Sequence, residues 1–267
     1  MFTAPQFNSL KKSIAAYWAT LDIKDVRGEY AKKGLLTQNK KLEKGDNLNL
    51  GLELLPSVLA PNLNLCKGAG ACKYSCLAFS GQGNVMQGPK LNEFGILPAP
   101  IKAKARRTFL FANDPMAFHM LLDLEIEKAV AVAKLEGVEA RFRLNTTSDV
   151  DWTDVAKRHP DVNFYDYCKV FTRESLPNYH ITYSFSEKVS LKKAIEKLSQ
   201  GQNVAVVFDG SGSLPETWYG FPVINGDEND DRYNDPKGVV VGLKLKTTIG
   251  GGDKDSVFAK AKDITKE

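Results

Sequence analysis

The chain has 267 residues, 43% hydrophobic and 25% charged, and a formal net charge of +4. That balance sets aside the disordered and fibrous classes, and so small a charge is not the concentrated basic stripe of a dedicated nucleic-acid binder. No stretch approaches the roughly 20 apolar residues of a membrane span, and the start lacks the order of a secretory signal, so a cytoplasmic protein without a membrane partner is expected.

In chain order, residues 1–46 read as an N-terminal helical cap. Ser9–Thr20 carries Leu10, Ile14, Tyr17 and Trp18 at helical spacing, and a polar connection runs through Lys40–Asp46. Residues 47–267 are expected to form a single α/β iron–sulfur domain. It opens on Asn47–Leu54, whose alternation puts Leu48, Leu50, Leu52 and Leu54 on one face and fits a half-buried strand.

The loop that follows is the densest chemical signal. Cys66, Cys72 and Cys76, three of the four cysteines, fall within eleven residues. Thiolates are soft ligands that stay deprotonated once bound to metal, so close thiols suggest a shared metal. Gly68 and Gly70 leave the backbone free to fold around one object. The spacing x5 then x3 is not the paired knuckle of common zinc sites. Three readings stay open: a three-cysteine iron–sulfur site, a closed four-ligand or structural zinc site to which Cys168 contributes, and buried unligated thiols.

Beyond the loop come Gly81-Gln-Gly83 and a stretch holding Pro89, Pro98 and Pro100. Lys102, Lys104, Arg106 and Arg107 form a local basic cluster, either a nucleic-acid contact or a solvated helix face. The spacing predicts a long helix from Pro115 to about Glu136, with Asp114 as N-cap and Gly137 as its stop. From Ala140, β-rich runs (Ala140–Asn145, Asn163–Cys168, His180–Ser184, Asn203–Phe208, Gly238–Leu243) alternate with helical or turn segments (Val150–His159, Thr172–Leu176, Lys188–Gln200). Such alternation implies parallel strands. The fold expected is α/β, a partial or distorted (β/α) barrel of about six mainly parallel strands, with an open doubly wound sheet as the competing form.

Polar residues sit where these strands end, the face on which parallel α/β folds bind and react. They include Asn145 and Asp149, Asp166 and Lys169, Ser184 and Glu187, Asp209–Gly212, and Lys244 with Lys246. Each also has a plain reading as a helix cap, ion pair or turn. Pro222–Gly238 is a polar island read as a solvated loop, and Gly250–Gly252 is too incomplete for a phosphate loop.

Together these residues resemble the bacteriophage "gene product 88" family. The likeness rests on the three cysteines with Leu77, Gly81 and Gly83; on Arg143, Leu144, Asn145, Thr147, Ser148 and Asp149; on Phe164, Tyr165, Asp166, Tyr167 and Lys169; on His180, Thr182, Ser184, Ser186 and Glu187; and on Asp227, Glu228, Asp235 and Pro236. It implies a phage origin and a place in the host cytoplasm.

More distantly, three cysteines after the first strand of a parallel α/β domain are similar to the radical S-adenosylmethionine superfamily. There, three thiolates hold a [4Fe–4S] cluster whose open iron binds the cofactor. The cysteine spacing differs from the usual x3 and x2, and the superfamily's Gly-Gly-Glu is absent. The resemblance implies Cys66, Cys72 and Cys76 as metal ligands. Asp166, Lys169 and Glu187 would be catalytic, and Asn145, Asp149, Ser184 and Lys244 would bind S-adenosylmethionine. The substrate would be a small molecule, nucleotide or nucleic acid. Two rivals stand beside it: a metal-dependent hydrolase using Asp149, Asp166 and Asp227, and a zinc-stapled, non-enzymatic protein that binds a host factor.

Overall fold

Short runs rich in β-branched and aromatic residues lie side by side in the computed structural model, which describes residues 4–38, 42–43, 46–76, 97–208 and 212–245. Gly81–Gly83, Leu77, Pro89, Asp209–Ser211, Lys246 and Gly250–Gly252 lie outside the described residues. The strands are β1 (Leu36–Thr37), β2 (Leu48–Leu52), β3 (Ala140–Arg143), β4 (Asn163–Cys168), β5 (Tyr179–Ser184), β6 (Val204–Phe208), β7 (Thr217–Trp218), β8 (Phe221–Asn225) and β9 (Val240–Lys244). The helices are α1 (Ala4–Trp18), α2 (Ile23–Lys33), α3 (Ala99–Asn113), α4 (Pro115–Glu136), α5 (Thr153–Arg158) and α6 (Leu191–Ser199).

The strands make one open sheet in the order β1-β2-β3-β4-β5-β6-β9-β8-β7. Every pair from β2 to β8 is parallel. The edge strands β1 and β7 are antiparallel to their neighbours. The sheet is thus mainly parallel as expected, but it has nine described strands rather than about six and is not a clear six-strand barrel. Two of the additional strands are two-residue edges, too short to show periodicity. The third, β8, contains Pro222, which cannot donate to a ladder and reads as loop. Pro222 stands beside the edge strand β7, opposite Thr217.

α4 spans the residues its spacing predicts. The Asp114 carboxylate accepts from the Ala117 amide, and Gly137 ends the helix in the left-handed conformation. Its inward stripe, Phe118, Leu122, Ile126, Ala129 and Ala133, is buried, and each large side chain contributes about 1.5–3 kcal/mol. α3 is a helix that its prolines hide: Pro98 is the N-cap and Pro100 sits in the first turn, where a missing N–H costs nothing. The basic cluster on α3 is not a solvated face. Lys104 is buried and paired with Glu53, Arg106 is paired with Glu29, and Arg107 lies over the Tyr30 ring. Thr172–Leu176 holds a turn, with Leu176 bridged to Tyr179.

The strand order fixes what covers each face. From β2 to β6 the chain steps steadily across the sheet, and right-handed crossovers then put its helices on one face. Phe142, Phe164, Ile181, Tyr183, Val204 and Val206 face that side, sharing a core with Phe118, Leu122, Val155, Ala194 and Leu198. From β8 to β9 the chain steps backwards, so the same rule sends that crossover over the opposite face. It reaches β3, where Asp231 pairs with Arg141 and Asp230 with Arg143.

Candidate functional site

The cysteine loop lies against the carboxyl ends of β3, β4 and β5. Its first contact is a parallel bridge between Cys66 and Asp149, with the Asp149 amide donating to the Leu65 carbonyl at 2.7 Å. Further along, a Cβ on Gly68 would stand 2.5 Å from the Lys169 Cβ, and one on Gly70 would collide with the Glu187 carboxylate. At Gly68, where the neighbours are a Cβ and backbone, only glycine admits that approach. The Ala71 amide donates to Glu187 Oε1 at 2.8 Å, and Lys188 Nζ donates to the Ala69 carbonyl. Ala71–Ser75 then forms a short 3-10 turn carrying Cys72, and Cys76 follows it.

Cys66 is held most firmly. Ser57, at a left-handed φ of 53°, donates its amide to Cys66 Sγ at 3.1 Å. Burial pushes the Cys66 thiol up to about 12, the Ser57 amide opposes this, and the nearby Cys76, Asp149 and Cys72 groups raise it further. The three loop thiols are therefore electrostatic neighbours. By chemistry the donor set fits a thiophilic centre: three sulfurs, one already receiving an amide hydrogen as a bound thiolate does. Among the described residues no three His, Cys, Asp or Glu side chains are grouped so that they could hold a metal ion.

The strand-end residues divide into supports and exposed groups. Asp166 is 0% exposed. It accepts from the Asn145 amide at 2.6 Å and from the Tyr179 hydroxyl at 2.8 Å. Burial raises its carboxyl to about 7, against the pull of those donors and of Arg143 and Arg173. Asn145 shapes the next turn: its Oδ1 accepts from Ser148 Oγ, the Val150 amide and Trp152 Nε1, and its Nδ2 donates to the Val150 carbonyl. That turn presents Asp149, whose carboxylate accepts from the Lys169 amide at 2.9 Å and from Arg173 Nη1 at 2.8 Å. A continuous chain thus runs from Asp166 through Asn145 and Asp149 to Cys66.

Lys169 is half-buried beside Gly68, and Glu187 is exposed beside Ala71. Ser184 ends β5, half-buried, on the face opposite the helices. Lys244 is not brought to this loop: it ends β9, four strands from β3, with its amide donating to Asp227 Oδ2. Asp149, Asp166 and Asp227 each hold separate partners rather than one shared centre. Cys168 is buried, its thiol accepting from the Val170 amide at 3.2 Å, and burial raises its pKa strongly. Reasoning from sequence missed Arg173, 8% exposed and essential to the Asp149 turn, because nothing near it in the chain marks its partner. It also missed the Arg-Phe-Arg of β3, where alternation alone puts two guanidinium groups on the face away from the helices.

The family model described as Gene product 88 matches residues 30–262. The chain belongs to that family. No curated protein and no solved structure matches it. Among the described residues, no helix is long and apolar enough to cross a membrane.

Proposed function

We propose that this member of the Gene product 88 family is an iron–sulfur protein of radical S-adenosylmethionine type, acting on a small-molecule or nucleotide substrate in the host cytoplasm. The observation that carries the reading is the docking of the cysteine loop across the carboxyl ends of three adjacent parallel strands, through Gly68 on Lys169 and Gly70 on Glu187. Cys66, Cys72 and Cys76 would hold the cluster, in the loop after the first parallel strand. When bound, a cluster with three thiolate ligands supplies one electron and an open iron for a chelating cofactor.

The chain's own residues do the positioning. Asp166 and Asn145 set the turn that offers Asp149, and Asp149 with Arg173 fixes the Leu65–Cys66 end of the loop. Glu187 and Lys188 hold its other end through Ala71 and Ala69. Lys169 packs its Cβ against Gly68, and its ammonium would meet a carboxylate or phosphate by a charge-assisted hydrogen bond.

Anaerobic reconstitution followed by iron and sulfide assay and an ultraviolet–visible spectrum tests this. Wild type and Cys168→Ser should take up iron and sulfide alike, and Cys72→Ser should lose most of both. The reduced protein should then release 5′-deoxyadenosine from S-adenosylmethionine. Zinc without sulfide would overturn the reading in favour of a zinc-stapled protein. Equal loss in Cys168→Ser would mean a closed four-thiolate site, and a full cluster with no cofactor cleavage would remove the radical chemistry.

A further inference from the structure

From β2 to β5 the sheet face opposite the helices carries mostly polar residues. The parallel register aligns Tyr165 with His180 and Tyr167 with Thr182, and Asn49 with Arg141. The β8–β9 crossover closes over them. Arg141 Nη1 meets Asp231 at 2.7 Å and Arg143 Nη1 meets Asp230 at 3.0 Å. Arg143 also lies over the Tyr167 ring at 4.9 Å, Arg141 over Tyr233 at 4.9 Å, and Arg232 approaches Asp235 at 3.3 Å.

These pairs leave an imbalance. Tyr165 is 0% and Arg232 1% exposed. Among the described residues, the buried Tyr165 Oη, Tyr167 Oη, Arg143 Nε and Arg232 Nε have no hydrogen-bond partner, while Arg232 Nη1 and Asp235 Oδ2 have only their ion pair with each other. All four can donate, and the two tyrosine hydroxyls can also accept. The other acceptor left over on this face is Asn49 Oδ1. An unpaired buried polar group opposes folding, and four together oppose it strongly. An oxyanion offers acceptors only and can receive all four hydrogens at once. After burial, Arg232 and Lys237 hold His180 neutral, near a pKa of about 4, with Asp231 opposing them, whereas at Tyr165 the pull of Arg143 is opposed by Asp231, Asp230 and Asp166.

We propose that this face, between β3–β5 and the β8–β9 crossover, is a binding site for an oxyanion group, the phosphate or carboxylate of a small ligand, received by Tyr165, Tyr167, Arg143 and Arg232. The site is separate from the cysteine loop and does not depend on what that loop holds.

Isothermal titration and thermal melts of the full chain at constant ionic strength test it, with inorganic phosphate, pyrophosphate and citrate as probes and chloride as control. Tyr165→Phe and Tyr167→Phe remove only the hydroxyls and keep the ring packing, so both should fold. One probe should bind wild type at or below about 1 mM and raise its melting temperature above the chloride control. Each variant should weaken that binding about tenfold, equal to about 1.4 kcal/mol. Binding of pyrophosphate or phosphate alone identifies a phosphate ligand, and binding of citrate alone a carboxylate. No binding of any probe at about 10 mM, or binding unchanged in both variants, overturns the proposal.

Discussion

Asp149 is where the loop and the sheet are tied, and removing its charge tests the architecture most directly. In Asp149→Asn the Arg173 guanidinium, 6% exposed on its side chain, keeps one charged neighbour, Asp151, 3.8 Å away and largely in solvent. Breaking a buried pair at one partner costs about 3–5 kcal/mol. The asparagine oxygen can still accept from the Lys169 amide, so the lower end applies, about 3 kcal/mol. At about 2–4 °C per kcal/mol for a chain of this size, the melting temperature should fall by about 6–12 °C. Urea unfolding followed by circular dichroism measures the loss. Asp149→Leu combined with Arg173→Met should recover at least about 2 kcal/mol relative to the sum of the single changes, because removing both charges leaves neither stranded. A loss under about 1 kcal/mol in Asp149→Asn, or strict additivity in the double variant, would refute the pairing as the anchor of the loop.

Gly68→Ala should lift the loop off Lys169, cutting iron retained after reconstitution by more than half while moving the unfolding free energy by less than about 2 kcal/mol; unchanged iron content would contradict the close approach. Asp166 should make stability fall as pH rises. The folded state keeps its proton up to about 7, whereas the unfolded chain releases it near about 4. Asp166→Asn should therefore gain on wild type in urea midpoint between about pH 4 and about pH 7, and a constant difference would refute the raised pKa. Asp235, raised to about 6 by burial, acts in the same direction over a narrower window. Cys168→Ser should cost about 1 kcal/mol through its buried hydroxyl, read by urea midpoint, and leave the loop cysteines as they are.

The helix Pro115–Glu136 and the strand Asn163–Cys168 were legible because cap, stop and period all agree locally. The gathering of strand-end residues about the cysteine loop was legible for a different reason: parallel topology sends every such loop to one edge. What the sequence could not show is which of those residues face inward. Asp166 and Asn145 stand at strand ends like Lys169 and Glu187, yet Asp166 is consumed by the Asn145 amide and the Tyr179 hydroxyl of the neighbouring strands, and Asn145 by groups of its own turn. Alternation assigns a face; it does not say whether the partners that fill a carboxylate's lone pairs are already present in the fold. Arg173 shows the same limit from the other side, since its partner lies 24 residues away in the chain.

The polar island Pro222–Gly238 reads as a solvated loop because charge density and turn residues favour water. It is half a salt-bridge network because of strand order. Once β9 inserts between β6 and β8, the chain between β8 and β9 must run backwards, and the right-handed rule carries it over the face that the helices leave bare. Its carboxylates then meet the arginines of β3, whose alternation with Ala140 and Phe142 had already turned them to that side. Neither half implies the other in sequence, as about ninety residues separate them. The reversal also explains why donors exceed acceptors there. Two arginines fixed by the pleat and one on the crossover meet carboxylates that approach from one direction, leaving Arg143 Nε and Arg232 Nε buried without an acceptor among the described residues.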